Sequence, residues 1–149
     1  MDVKNKRVVV TGAASGIGRA LCEAFHQAEA QSVIAVDMNL EGAQETADSV
    51  NGVAVLANVG NEEDIITVIQ KADEHVGGTD IFCSNAGIGG VPGFFEVEAS
   101  DWQNIWDVNV QSHIFAAKHV LPQMIERGEG YLVNTSSAAG LLTQLGAAG

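Results

Sequence analysis

Arg7-Val8-Val9-Val10-Thr11-Gly12-Ala13-Ala14-Ser15-Gly16-Ile17-Gly18-Arg19-Ala20-Leu21 decides the fold of this chain. Residues 7–11 form an unbroken, β-branched run. Such a run suits a short strand covered on both faces. Past the glycines, apolar residues recur at Ile17, Ala20, Leu21, Ala24, Phe25 and Ala28, the spacing of one helix face. The glycines therefore sit at a strand–turn–helix junction. A helix N-terminus offers unpaired N–H groups and the positive end of its dipole, which favours a phosphate. Glycines let the backbone turn tightly and let a diphosphate come close. No Lys-Ser/Thr follows the turn, so a nucleoside-triphosphate loop is disfavoured. The spacing is G-x-x-x-G-x-G, and a glycine turn of this kind is by itself also compatible with no ligand.

The next apolar run, Val33-Ile34-Ala35-Val36, ends at Asp37, 19 positions after Gly18. An acidic residue there accepts hydrogen bonds from both ribose hydroxyls of an adenosine. It also repels a 2′-phosphate, and Met38, Asn39 and Leu40 add no basic group. NAD is expected in preference to NADP. The plainer reading of Asp37 is a solvated loop carboxylate.

Strand and helix patterns go on alternating. Asn39 caps a helix over about 40–50, and Gly52 to Val59 reads as a third strand. Asn61 caps a helix whose first turn carries Glu62, Glu63 and Asp64, which suits the dipole. Its buried stripe is Ile65, Val68, Ile69, Ala72 and Val76, and Gly77-Gly78 end it. Asp80 to Ser84 is a fourth strand. Ser100 and Gln103 suggest a capping box for a long apolar helix running to about Arg127, with Pro122 kinking it or marking its last turns. Tyr131 to Ser136 is the fifth strand. Alternation with short connections implies a doubly wound parallel sheet, a three-layer Rossmann-like α/β fold with strand order 3-2-1-4-5. Ligands of such sheets bind at the carboxyl ends of the strands. Gly12–Gly18, Asp37, Asn58, Asn85 and Ser136-Ser137 all fall there.

These residues resemble the short-chain dehydrogenase/reductase family over essentially the whole chain. The turn Thr11-Gly12-Ala13-Ala14-Ser15-Gly16-Ile17-Gly18 matches its cofactor motif. Ser84-Asn85-Ala86-Gly87 matches its N-N-A-G motif, with Ser84 in place of the first Asn. Asn58-Val59 stands where the family usually has Asp-Val near the adenine. Asn109 aligns with the catalytic-helix asparagine, and residues 130–140 match the strand that carries the catalytic serine, Ser137. The resemblance implies an oxidoreductase that moves hydride between NAD(H) and an alcohol or ketone. Ser137 would hold the substrate oxygen, and Asn109 a water in the proton path. Cofactor contacts are expected from Gly12, Ser15, Gly16, Ile17, Gly18, Asp37, Asn58, Val59, Asn85, Ala86 and Gly87.

In this family a tyrosine follows the serine by roughly a dozen residues, which lands just past Gly149, with a lysine after it in a Tyr-x-x-x-Lys pattern. The chain therefore reads as a single NAD-binding domain over 1–149, truncated relative to the family, with its activity alone in question. Tyr131, the one tyrosine, lies six residues before Ser137. At roughly 3.3 Å per residue that is about 20 Å, at the wrong edge of the sheet. The alternatives are a catalytically inactive dinucleotide-binding fragment and an interaction module. Without the tyrosine–lysine helix, the fifth strand becomes an edge and apolar surface is exposed. The long helix 101–127 is the expected surface for a homo-oligomer.

A chain of 149 residues, 46% apolar, suffices for one real core. Nineteen acidic against seven basic residues give a net charge of −12, which argues against nucleic acid and anionic membranes as partners. Cys22 and Cys83 read as small buried residues, and no Cys/His cluster suggests a metal. With no apolar leader or membrane-length run, a cytoplasmic protein is expected. The loop Ile88–Ala99 either lines a substrate pocket with Phe94-Phe95 or is merely anchored by them. The end, Gly146–Gly149, is expected to be mobile.

Overall fold

The structure is a computed structural model that describes residues 2–92, 96–138 and 147–148. Its elements are β1 (Arg7–Thr11), α1 (Gly16–Gln27), β2 (Ser32–Asp37), α2 (Leu40–Ser49), β3 (Val53–Leu56), α3 (Glu62–Val76) and β4 (Ile81–Ser84). There follow β5 (Val91–Pro92), α4 (Ala99–Trp106), a π-helical turn (Asp107–Gln111), α5 (Ser112–Arg127), β6 (Tyr131–Asn134) and β7 (Ala147–Ala148). The main sheet has the order β3-β2-β1-β4-β6 and every pairing in it is parallel. This is the doubly wound order expected from the alternation. β5 and β7 form a separate antiparallel pair. Of the end expected to be mobile, Ala147 and Ala148 pair with β5, and Gly146 and Gly149 lie outside the described residues. Phe94 and Phe95 lie outside the described residues.

The alternation of side chains along each strand builds two cores. Val8, Val10, Val33, Ala35, Ile81 and Cys83 point to one face, where they meet Cys22 of α1 and Ala47 of α2. Val9, Ile34, Val36, Val55 and Phe82 point to the other, against Ile65, Val68, Ile69 and Ala72 of α3 and Ala116, Val120 and Met124 of α5. The central strands are covered on both sides, hence their continuous apolar runs.

Several boundaries differ from the sequence reading. β3 ends at Leu56, so Asn58 and Val59 lie beyond the strand, and β6 ends at Asn134. In α1 the buried positions are Gly18 and Cys22, and Ile17 is 65% exposed. Gly18 lies against the glycine turn, which rotates the apolar stripe Ile17–Ala28 partly outward. α4 starts at Ala99, where the Asp101 carboxylate accepts from the Glu98 N–H at 3.0 Å. Glu98 and Asp101 thus do the work assigned to Ser100 and Gln103. The long helix is interrupted by the π turn, and Pro122 lies inside α5. Asn39 and Asn61 cap as expected, accepting from Gly42 N–H at 3.2 Å and Glu63 N–H at 3.0 Å.

The strand pair β1–β4 is fastened at both ends. At its start, Arg7 donates to Asp80 through Nε at 2.8 Å, Nη2 at 2.5 Å and its backbone N–H at 3.0 Å. Arg127 of α5 approaches the same carboxylate at 3.6 Å. At its finish, the buried Thr11 hydroxyl donates to the Cys83 carbonyl at 3.2 Å and accepts from the N–H groups of Asn85 at 2.9 Å and Ala86 at 3.0 Å.

Candidate nucleotide site at the carboxyl edge

Glycine is required at two places in the turn after β1. Gly12 has φ +70°, and a Cβ there would stand 2.9 Å from the Cα of Ala86. A Cβ on Gly18 would stand 2.0 Å from the carbonyl oxygen of Gly12. No side chain fits, so α1 starts directly against the turn. Ser15 is the N-cap residue of α1 but its side chain makes no capping bond. Ser15, Gly16 and Ile17 are exposed in the first turn. A helix starts with N–H groups that have no partner within the helix, and here that end faces solvent.

The turn is held by its neighbours. Ala13 N–H donates to the Val36 carbonyl at 3.1 Å. Ala14 N–H donates to Asp37 Oδ2 at 2.9 Å, while Asp37 Oδ1 accepts from Asn39 N–H at 2.9 Å. Asp37 therefore belongs to the turn structurally. Each carboxylate oxygen accepts more than one hydrogen bond, so capacity remains for another donor.

A cleft of about 120 Å³ opens beside the turn, lined by Gly12, Asp37, Met38, Ala57, Asn58, Val59, Ala86, Gly87, Ile88 and Val108. The sequence-predicted Gly12, Asp37, Asn58, Val59, Ala86 and Gly87 are thus brought together. Asn58 holds its own loop: its Oδ1 accepts from Gly60 N–H at 3.0 Å, and its N–H donates to Asp64 at 2.8 Å. Asn85 lies under the turn, donating through Nδ2 to the Thr11 carbonyl at 3.0 Å. Its Oδ1 accepts from the Thr135 hydroxyl at 3.0 Å, which ties the exit of β6 to the glycine turn.

Asn109 sits in the π turn, and its carboxamide is committed to one residue. Oδ1 accepts from Ile88 N–H and Nδ2 donates to the Ile88 carbonyl, both at 2.9 Å. π turns recur at functional sites, and this one aims Asn109 at the loop after β4. Ser137 is exposed, three residues past the end of β6, and does not line the cleft. Sequence reasoning passed over Thr11, Arg19, Thr46 and Thr135. Each bonds to residues distant along the chain, besides the short reaches of Arg19 to Ala14 and of Thr46 to Gly42, and only Thr11 lies within a local motif.

The family model for short chain dehydrogenases matches residues 6–148. Glucose 1-dehydrogenase 2 of Bacillus subtilis (strain 168) is 35% identical over 143 residues, covering 91% of this chain and 55% of that protein. The 3-oxoacyl-[acyl-carrier-protein] reductase FabG of Vibrio cholerae is 32% identical over 150 residues, covering 99% of this chain and 61% of that protein. A short chain dehydrogenase/reductase from Burkholderia phymatum, solved in complex with NAD, superposes with a TM-score of 0.92 at 27% identity, covering 99% of this chain and 54% of that one. The chain thus spans about half to three fifths of the length of the relatives it matches.

Proposed function

The chain belongs to the short-chain dehydrogenase family, and from that premise we propose that its cleft binds NAD and that the protein serves hydride transfer between NAD(H) and an alcohol or ketone. The observation that carries the reading is the carboxylate of Asp37, hydrogen-bonded to the glycine turn at Ala14 and bordering the cleft. The residues suit the group. The cleft has room for a base, Asp37 has acceptor capacity for ribose hydroxyls, and the open first turn of α1 suits a diphosphate. Gly12 has no Cβ to block close approach.

When bound, the nicotinamide supplies the hydride donor or acceptor. Asp37 selects NAD by accepting from both hydroxyls and repelling a 2′-phosphate. Gly12, Ser15, Gly16, Ile17 and Gly18 would hold the diphosphate, Asn58 and Val59 the adenine, and Asn85, Ala86 and Gly87 would support the cofactor. Ser137 holds the substrate oxygen through its hydroxyl. Asn109 sets the loop after β4 through Ile88 and would hold a water in the proton path. Tyr131 starts β6, opposite Ile81, at the far end of the strand from Ser137, and takes no part.

The test is titration with NAD and NADP of the protein and of Asp37→Ala. Loss of a charged acceptor of this kind is expected to weaken NAD by about tenfold to a hundredfold and to narrow the preference over NADP. Unchanged affinity for both would refute the role of Asp37.

The proposal extends to self-association through α4 and α5. Trp102, Trp106, Ile114, Leu121 and Ile125 are all exposed on them. Among the described residues no helix is long and apolar enough to cross a membrane, and a cytoplasmic location accords with that.

A further inference from the structure

We propose that Arg19 and Thr46 are positioning residues for the diphosphate turn, a brace that reaches it from behind. The proposal rests on the dinucleotide reading above. Backbone N–H and C=O groups removed from water need partners, and Ala13 and Ala14 are both buried. Their N–H groups go to β2, one to the Val36 carbonyl and the other to Asp37. Their carbonyls go the other way. The Thr46 hydroxyl, itself 1% exposed, lies 2.8 Å from the Ala13 carbonyl oxygen and donates to it, with the Gly42 carbonyl at 3.1 Å. The Arg19 guanidinium donates through Nη2 to the Ala14 carbonyl at 2.7 Å.

The two braces are joined. Arg19 Nε donates to Thr46 Oγ1 at 3.0 Å, and Nη2 reaches Glu45 at 3.0 Å. One side of the turn is thus β2 with Asp37, and the other is α2 with Thr46 and Glu45. All four backbone groups of Ala13 and Ala14 are bonded, so these peptide planes cannot rotate without breaking a bond. Gly42 lets α2 come this close. A Cβ there would stand 2.8 Å from the Ala14 side chain. The next residues, Ser15 to Gly18, open α1 and present its free N–H groups. Their aim depends on the planes before them, so the brace acts on the diphosphate through Ala13 and Ala14 and touches no ligand itself.

The experiment is calorimetric titration of the protein, Arg19→Met, Thr46→Val and Thr46→Ser with NAD, ADP-ribose and adenosine, each checked by thermal melting. Arg19→Met keeps the aliphatic stem on a partly exposed side chain, so it remains informative should Thr46→Val fail to fold. Arg19→Met and Thr46→Val are expected to weaken NAD and ADP-ribose by about tenfold through lost preorganisation of the turn, while adenosine, which lacks the diphosphate, stays within about twofold. Thr46→Ser, which keeps the hydroxyl, restores both. Unchanged NAD affinity in the folded variants would overturn the brace. So would an equal loss for adenosine and ADP-ribose, which marks general loosening. An unmodified protein that binds none of the three refutes the dinucleotide reading, and the brace with it, before any variant is measured.

Discussion

Cys22 of α1 and Cys83 of β4 share the apolar cluster on one face of the sheet, and neither is exposed. Burial pushes each thiol up to about 12, since a thiolate there would lose its hydration. The thiolate is the reactive form. Neither cysteine of the native protein should therefore react with an aromatic disulfide reagent at pH 8, and both should react once it is unfolded. Rapid labelling of the native protein would contradict the burial. The sequence already suggested this burial, because each cysteine stands in an apolar pattern. Gly12, Gly18 and Asp37 were equally legible, being parts of a local signature with fixed spacing. Thr46 and Thr135 were not. A threonine in a strand or helix looks ordinary until its distant partner is known, and Thr46 finds the Ala13 carbonyl across 33 positions.

Between elements, the firmest polar contact is the fork of Arg7 on Asp80, which joins the starts of β1 and β4. The hydrogen bonds from Arg7 outweigh the burial of Asp80 and hold its carboxyl below the ordinary range. A depressed carboxylate contributes stability that is complete above the unfolded value of roughly 3.9 and is lost as the pH falls through the lower folded value. The melting temperature of the protein should thus fall on acidification below about pH 4. Asp80→Asn should cost about 2 kcal/mol at pH 7 and lack this part of the acid dependence. Equal melting curves for the two proteins from pH 7 to 3 would remove the fork from the stability of the fold. Element positions were legible wherever a period or a cap was local: the alternation in β1, the stripe of α3, Asn39 and Asn61. The π turn was not, since its extra residue leaves no mark on an apolar helical pattern. The start of α4 was misread because Ser100 and Gln103 satisfy the same capping pattern as the carboxylate pair that lies two residues earlier.

For the molecule as a whole, the sheet order followed from the alternation of strands and helices, because right-handed crossovers leave few arrangements. β6 closes one end of the sheet, with Tyr131 49% and Val133 38% exposed, beside an α5 face that exposes Ile114, Leu121 and Ile125. An apolar face of this kind marks an interaction surface. The proposed self-association predicts that light scattering finds a species larger than one chain. Leu121→Glu combined with Ile125→Glu should then shift it to the monomer without changing the pairing of the sheet. A monomer before any substitution would refute it. The fastening of β1 to β4 has one more consequence. With Arg7–Asp80 at one end and Thr11 bridging to Asn85 and Ala86 at the other, these two strands can neither slide nor fray. They form a fixed spine, with α2 on one flank and Ile88, held to the π turn by Asn109, on the other. A ligand that enters the cleft therefore meets a floor whose strand register is already set.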